Sequence, residues 1–536
     1  MKNITQYKLI TLSALVFALF YNFTFIREFS KVYDLVGVNI IYFLSVFVVF
    51  IFLNVFLFTL ISSRYSTKPF LILVFMVSSF VAYFMDTYNI VVDSEMIRNT
   101  LQTNIDESLD LFSMKLVLYV FFLGLVPSFL VYKSKIKYEN IKKEAIKKLK
   151  VLFFCFFIII VIIFSFSKFY ASFFREHKSL RYYINPTYWV YSIGNYLTKS
   201  ITPDTTQFKI IGADAKITPP LDEVDKKELI IMVVGEASRA DRFSLNGYEK
   251  QTNPLLEKED IVNFSNMYSC GTSTAVSVPC MFSIYTKDDY SYKKGISTEN
   301  VVDVLTDTKD VKVLWRDNNS DSKGVALRVD FQDYRTAKNN KVCDVECRDE
   351  GMLIGLDEYI KQNKNEDTFI VLHQMGNHGP AYYKRYPKEF EKFTPVCKTN
   401  ELEKCTQEEV SNAYDNAILY TDYFLSKVIN FLKPYSKDYE TAMLYMSDHG
   451  ESLGENSLYL HGMPYLIAPE NQKHVASFIW LGKGDIREDI DVEKLKSYSN
   501  KRFSQDNLFH TLLGLFEVES KVYKKELDIL NDAKID

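Results

Sequence analysis

Two apolar runs in this chain stop on side chains that can bind a cation. Leu229 to Val234 ends in Gly235-Glu236, and the run through Tyr445-Met446 ends in Ser447-Asp448-His449-Gly450-Glu451. Between them lies Cys270-Gly-Thr-Ser-Thr274, a small-residue turn rich in hydroxyls. Carboxylates and an imidazole at the ends of buried strands, with a hydroxyl turn between, are the parts of a metal-activated nucleophile. Such oxygen and nitrogen donors hold Zn²⁺, and the ion keeps an alkoxide deprotonated near neutral pH. Glu236 taken alone could as well cap a helix, and Thr274 could be an ordinary capping hydroxyl. The adjacent pair Asp448-His449 is harder to explain by packing, and a helix starting at Thr274 would aim its N–H groups at an anion.

Five of the seven histidines, His373, His378, His449, His461 and His474, lie in one stretch near the second run. His378 and His461 sit in loop contexts that suit a site. His373 stands at a strand end and could equally be structural, and His177 and His510 read as structural.

The elements that must position these groups divide the 536 residues into two unlike parts. Apolar stretches at 9–26, 37–62, 68–85, 114–132 and 151–171 are each long enough, at about 20 residues, to cross a bilayer core. No small-residue cleavage site follows the first, so it reads as a retained span. Lys133 to Lys150 holds eight lysines against two glutamates. The loop between the third and fourth spans carries Asp86, Asp93, Glu95, Asp106, Glu107 and Asp110 with one arginine. The positive-inside rule puts the lysine loop in the cytoplasm, and the acidic loop and everything after the fifth span outside. Residues 1–172 are therefore expected to be a membrane domain. Residues 173–215 form an aromatic, interfacial connector, with Pro203 and the 212–220 stretch as linker, and 216–536 a second domain. There, strands are expected at 229–234, 311–315, 368–373, 441–446 and 475–480, and helices at 299–307, 349–362, 408–432 and 505–516. This alternation implies an α/β fold with a mostly parallel sheet flanked by helices.

Of seven cysteines, Cys155 falls in the fifth span and six in the second domain. Three disulfides in an oxidising compartment fit that count. Close neighbours suggest Cys270–Cys280, Cys343–Cys347 and Cys397–Cys405, although fifteen pairings exist formally. A net charge of −4 indicates no nucleic-acid partner.

Six motifs occur in order: Gly235-Glu-Ala-Ser-Arg-Ala-Asp241, Asn246-Gly-Tyr248 with Thr252-Asn-Pro254, Cys270-Gly-Thr-Ser-Thr-Ala275, Trp315-Arg-Asp-Asn-Asn-Ser-Asp-Ser-Lys323, His373-Gln-Met-Gly-Asn-His-Gly-Pro380 and Ser447-Asp-His-Gly-Glu-Ser-Leu-Gly-Glu455. Over nearly its whole length the chain resembles the lipid A phosphoethanolamine transferases, which include the mobile colistin-resistance enzymes and belong to the alkaline phosphatase superfamily. The resemblance implies that Glu236, Thr274, Asp448 and His449 hold a catalytic zinc and that Thr274 is the nucleophile. It places His378 and His461 near the metal, on the phosphate or on a second zinc, with His378 as a candidate proton donor. Asn319 and Lys323 match substrate-site positions, and Asp289 stands where many members have Glu. Asn99, Thr103 and Glu107 match a triplet that grips the headgroup; four-residue spacing would set them on one helical face. The family's donor is phosphatidylethanolamine, its acceptor lipid A and its location the bacterial inner membrane with a periplasmic catalytic domain, and a monomer is expected. The implied outcome is a less negative envelope and polymyxin resistance. A core-sugar or protein acceptor, or phosphoglycerol transfer, would leave similar motifs. A sulfatase would need Cys or Ser in a C/S-x-P-x-R frame, which is missing.

Overall fold

A computed structural model describes residues 4–103, 105–201, 207–217, 226–484 and 486–535. Pro203 and the end of the expected 212–220 linker lie outside the described residues. The chain forms two compact units, one of residues 1–97 with 112–202, the other of residues 98–111 with 203–536.

The first unit is helical. Among the described residues, Val38–Ile61, Thr67–Tyr88, Met114–Lys133 and Ile141–Ser165 are long and apolar enough to cross a membrane. The expected 9–26 span is instead a pair, Gln6–Phe20 and Phe23–Val32, bent by 55°. Asn22 makes the break. Its amide donates to the Phe17 and Asn185 carbonyls at 2.9 and 2.8 Å, taking an acceptor at the end of the first helix. The last span starts earlier than its apolar run, because Asn140 caps it by accepting from the Lys143 N–H and lysines are good helix formers. It ends before the expected 171, at Ser165, with Phe166 non-helical. The aromatic connector packs into this same unit: Trp189 donates to Ser78, and the Asn185 amide donates to the Ser78 carbonyl.

The second unit is built on seven strands: β1 Lys227–Gly235, β2 Ile261–Asn263, β3 Val311–Asp317, β4 Asp330–Asp333, β5 Asp367–His373, β6 Tyr439–Ser447 and β7 Ser477–Leu481. Their order is β2-β7-β6-β1-β5-β3-β4. The five strands from β6 to β4 are parallel; at the other edge β7 pairs antiparallel with β6, and β2 antiparallel with β7. All five expected strands are present. The centre reads as an unbroken apolar run because a parallel sheet is covered on both faces, and Leu229 to Val234 are wholly buried. Val301–Asp307 and Leu508–Leu515 contribute buried aliphatic side chains to the main core. The 26-residue helix Gln407–Leu432, opened by a capping box at Thr406 and Glu409, packs against β6.

The consequence for the site is topological. Adjacent parallel strands β6, β1, β5 and β3 all discharge at one edge of the sheet, where open α/β sheets place their ligands. The three disulfides are Cys270–Cys280, Cys343–Cys347 and Cys397–Cys405, and Cys155 is a free, buried thiol. Replacing Cys397 and Cys405 together by Ser should lower stability by about 2–3 kcal/mol, from the entropy that a short closed loop removes from the unfolded chain. The midpoint of denaturant unfolding measures it; an unchanged midpoint would show that this cross-link contributes nothing.

Candidate metal centre

Glu236 follows β1 directly, and Asp448 and His449 follow the neighbouring β6. All three are completely buried. His449 Nε2 lies 3.3 Å from Glu236 Oε1 and 3.2 Å from Asp448 Oδ2. Thr274 is the first residue of the helix Thr274–Met281, and its hydroxyl lies 3.1 Å from Glu236 Oε2 and 3.3 Å from His449 Nε2. Two carboxylates, an imidazole and a hydroxyl thus converge on one point.

The surrounding bonds leave that point open for a cation. Asp448 Oδ1 accepts from the Ala237 and His449 N–H groups, whereas Asp448 Oδ2 and Glu236 Oε1 have no hydrogen-bond partner among the described residues. His449 Nδ1 stands 2.8 Å from the Gly450 carbonyl, which assigns the proton to Nδ1 and the Nε2 lone pair to the cluster. Burial, and then the Asp448 charge, push the Glu236 carboxyl well above its ordinary range. Burial likewise raises Asp448. Orphaned, buried carboxylate oxygens beside an unprotonated imidazole nitrogen are the donor set of a divalent cation such as zinc, so the residues present fit the metal. Among the described residues, the other candidate grouping is Cys270, Cys280 and Asp506, whose cysteines are already joined as a disulfide.

The backbone is constrained to make this arrangement. Ala237 adopts φ 55°, a strained conformation for a residue with a side chain, held by its N–H to Asp448 and its carbonyl to Tyr414. Gly376 has φ +52°, and a Cβ there would sit 2.9 Å from the Glu236 carbonyl oxygen. Asn319, just past β3, donates from its amide to Glu236 Oε2 at 2.9 Å and to the Gln374 carbonyl.

The remaining expected residues divide into those drawn in and those left out. The His461 ring lies 4.2 Å from that of His449 and 5.5 Å from that of His378. Burial opposes a charge on His461, but Glu451, 3.2 Å from its Nδ1, more than offsets this and raises its pKa. Burial, then the positive charge of His461 and Arg385, hold His378 well below the ordinary imidazole range. Lys323 is buried, with Nζ on the Ser320 and Gln102 carbonyls and Glu107 as its foremost charge partner. Burial raises the Glu107 carboxyl against the pull of Lys323, Arg385 and His461.

Asn99 and Thr103 do not share a helical face with Glu107. One helix ends at Gln102 and another begins at Ile105, and the Thr103 hydroxyl donates to the Asn99 carbonyl, competing with the backbone ladder. Asp289 lies in an exposed turn, its carbonyl accepting from Lys294. His373 pairs with Asp317 behind the sheet edge at 2.8 Å, while Trp315 donates to the same carboxylate oxygen.

Two partners went unassigned in sequence. Glu451 was visible two residues past His449. Gln505 carried no signal, yet it is completely buried and bridges the two halves of the site. Its Oε1 accepts from Cys270 N–H at 2.6 Å, and its Nε2 donates to the Ser447 and Asp448 carbonyls at 2.8 and 2.7 Å. It therefore ties the turn of Thr274 to the end of β6.

The chain is similar to known proteins along nearly its whole length. The Sulfatase family profile matches residues 228–518 and the Phosphoethanolamine transferase EptA/EptB profile residues 49–201. Phosphatidylethanolamine transferase Mcr-1 of Escherichia coli is 42% identical over 536 residues, covering 98% of this chain and 97% of its own. Phosphoethanolamine transferase EptA of Escherichia coli K12 is 39% identical over 531 residues, covering 98% and 96%. The solved integral membrane lipooligosaccharide phosphoethanolamine transferase A of Neisseria meningitidis aligns with TM-score 0.95 and 35% identity over 100% of both chains. With its four or five apolar helices, the chain is a multi-pass membrane protein.

Gln505→Ala should orphan one buried N–H and two carbonyls. At about 1–3 kcal/mol for each unsatisfied group, partly relieved by relaxation, the expected loss is about 3 kcal/mol. A thermal unfolding midpoint equal to that of the unmodified chain would show that Gln505 does not brace the site.

Proposed function

We propose, for a chain that belongs to the lipid A phosphoethanolamine transferases of the alkaline phosphatase superfamily, that it transfers phosphoethanolamine from phosphatidylethanolamine to a lipid A phosphate. The observation that carries this is the Thr274 hydroxyl, buried 3.1 Å from Glu236 and 3.3 Å from His449 at the sheet edge.

Glu236, Asp448, His449 and Thr274 would hold one zinc, and His378 and His461 stand where a second could be engaged. Zinc, when bound, lowers the pKa of the threonine hydroxyl and offsets negative charge gathering on the phosphoryl oxygens. Thr274 Oγ1, having released its proton to solvent, forms a bond to phosphorus as the bond from phosphorus to the diacylglycerol oxygen breaks. That oxygen takes a proton from the His378–His461 pair. In the second half, a lipid A phosphate oxygen attacks the same phosphorus and Thr274 Oγ1 leaves. Asn319 orients Glu236 throughout. Lys323 serves the phosphoryl oxygens, and Glu107, with Asn99 and Thr103, takes the ethanolamine ammonium. Asp289 belongs to the outer substrate surface.

Both substrates are lipids, which accounts for the helical unit. We place the protein in the bacterial inner membrane as a monomer, with Lys133–Lys150 cytoplasmic and the domain from about residue 216 in the periplasm, where its disulfides form. Capping lipid A phosphates with an ammonium lowers surface negative charge and so weakens binding of polymyxins.

Mass spectrometry of lipid A from cells with and without the gene is the test. Phosphoethanolamine-modified lipid A should appear with the unmodified gene. It should fall by at least about a thousandfold with Thr274→Ala, while Thr274→Ser keeps part of the activity by preserving the hydroxyl. Unmodified lipid A alongside a modified core sugar or exported protein would move the acceptor; full activity in Thr274→Ala would remove the nucleophile.

A further inference from the structure

The segment Arg98–Leu111 groups with the second unit, although the chain on both sides of it belongs to the helical one. It is held at both ends. The Arg98 guanidinium lies over the Tyr292 ring, 4.3 Å from its centre, and the Gln102 carbonyl accepts from Lys323 at 3.4 Å. At the other end Asp110 is gripped three ways. Its carboxylate lies 2.5 Å from Lys384 Nζ and 2.6 Å from Arg385 Nη2, and its carbonyl accepts from the Asn400 amide at 2.7 Å. Glu107 is carried between these anchors, with its carboxyl buried.

Arg385 does more than pair with Asp110. Its side chain is only 3% exposed, and its donors are divided among three elements. Nη2 donates to Asp110, Nη1 to Glu346, and Nε to the His378 carbonyl at 2.7 Å. Glu346 lies inside the loop closed by Cys343–Cys347, and Arg348 holds its other oxygen at 3.3 Å. One planar fork therefore joins the segment that carries Glu107, the backbone of His378 and a disulfide-braced loop. A guanidinium fixes such directions because its donors are coplanar and always charged.

We propose that the Asp110–Arg385 pair is a latch that sets Glu107 and His378 relative to each other, so that headgroup capture and service of the leaving oxygen are positioned by one guanidinium. Both are positioning residues, since neither touches the reacting atoms. The latch rests on the reading of phosphatidylethanolamine as donor. It goes beyond that reading in assigning Arg385 two separable effects. Losing the Asp110 charge loosens one end of the segment but leaves Arg385 on His378, which weakens capture. Losing the fork itself disturbs both.

The test is diacylglycerol release from phosphatidylethanolamine by the full-length protein in detergent with lipid A supplied as acceptor, kcat and KM being determined separately. Asp110→Asn, which keeps the shape and removes the charge, should raise the donor KM about tenfold and leave kcat within about twofold. Arg385→Lys keeps the charge but not the fork; it should raise KM to a similar extent and lower kcat about tenfold. The double variant should be no worse than Arg385→Lys, the non-additivity expected of a coupled pair. Asp110→Glu should recover part of the loss in KM. An unchanged KM in Asp110→Asn, an additive double variant, or loss of bound metal in Asp110→Asn would each overturn the latch. The last outcome would reduce the pair to a structural ion pair. Failure of the unmodified protein to release diacylglycerol would instead fault the donor assignment, and the latch would fall with it.

Discussion

Two carboxylates, Glu236 and Asp448, share a buried space with His449, and each presents an oxygen with no hydrogen-bond partner among the described residues. Leaving one such charge uncompensated inside a protein costs several kcal/mol even after relaxation. A cation at its centre would offset that charge, and most of the second unit can be read as the means of keeping those oxygens unbonded and aimed. The parallel order β6-β1-β5-β3 brings the ligand-bearing strand ends side by side. The strained Ala237 turns the chain so that its N–H takes the other Asp448 oxygen. Asn319 occupies the second Glu236 oxygen from the far side.

The proposed nucleophile depends on the same constraint from another direction. Thr274 stands at the start of a short helix that includes Pro279, a weak element by itself. The Cys270–Cys280 bridge closes the turn and helix, and Gln505 hangs the turn from the carbonyls of Ser447 and Asp448. The end of β6 and the turn that carries the hydroxyl are thereby held together. Farther out, charge is paired rather than orphaned. Arg385, Asp110 and Glu346 satisfy one another, which suits groups that hold position over groups that react.

Much of this could be read from residue order. The five buried strands announced themselves because a doubly covered sheet demands continuous apolar runs, and Asp448-His449 at the end of one run has no role in packing. The pairing of near-neighbour cysteines was legible for the same local reason. Contacts that depend on tertiary placement were not. Gln505 lies more than two hundred residues from Cys270, and nothing near it sets it apart from any other helix-initiating polar residue. The first span looked straight because Asn22 breaks it only by reaching Asn185, far along the chain. The ladder Asn99, Thr103, Glu107 presumed one helix, but one helix ends at Gln102 and another begins at Ile105. Hydropathy placed 98–111 with the membrane helices on either side, whereas its own polar side chains bind it to the catalytic unit.

The central claim is that the hydroxyl of Thr274 is the one that bonds to phosphorus. It is tested most directly by supplying phosphatidylethanolamine without any acceptor, digesting the protein and fragmenting the peptide that contains Cys270 to Met281. A phosphoethanolamine group on Thr274, lost again when lipid A is added, is the result the account predicts. The same group on Thr272 or Ser273, or no adduct while donor is consumed, would contradict it.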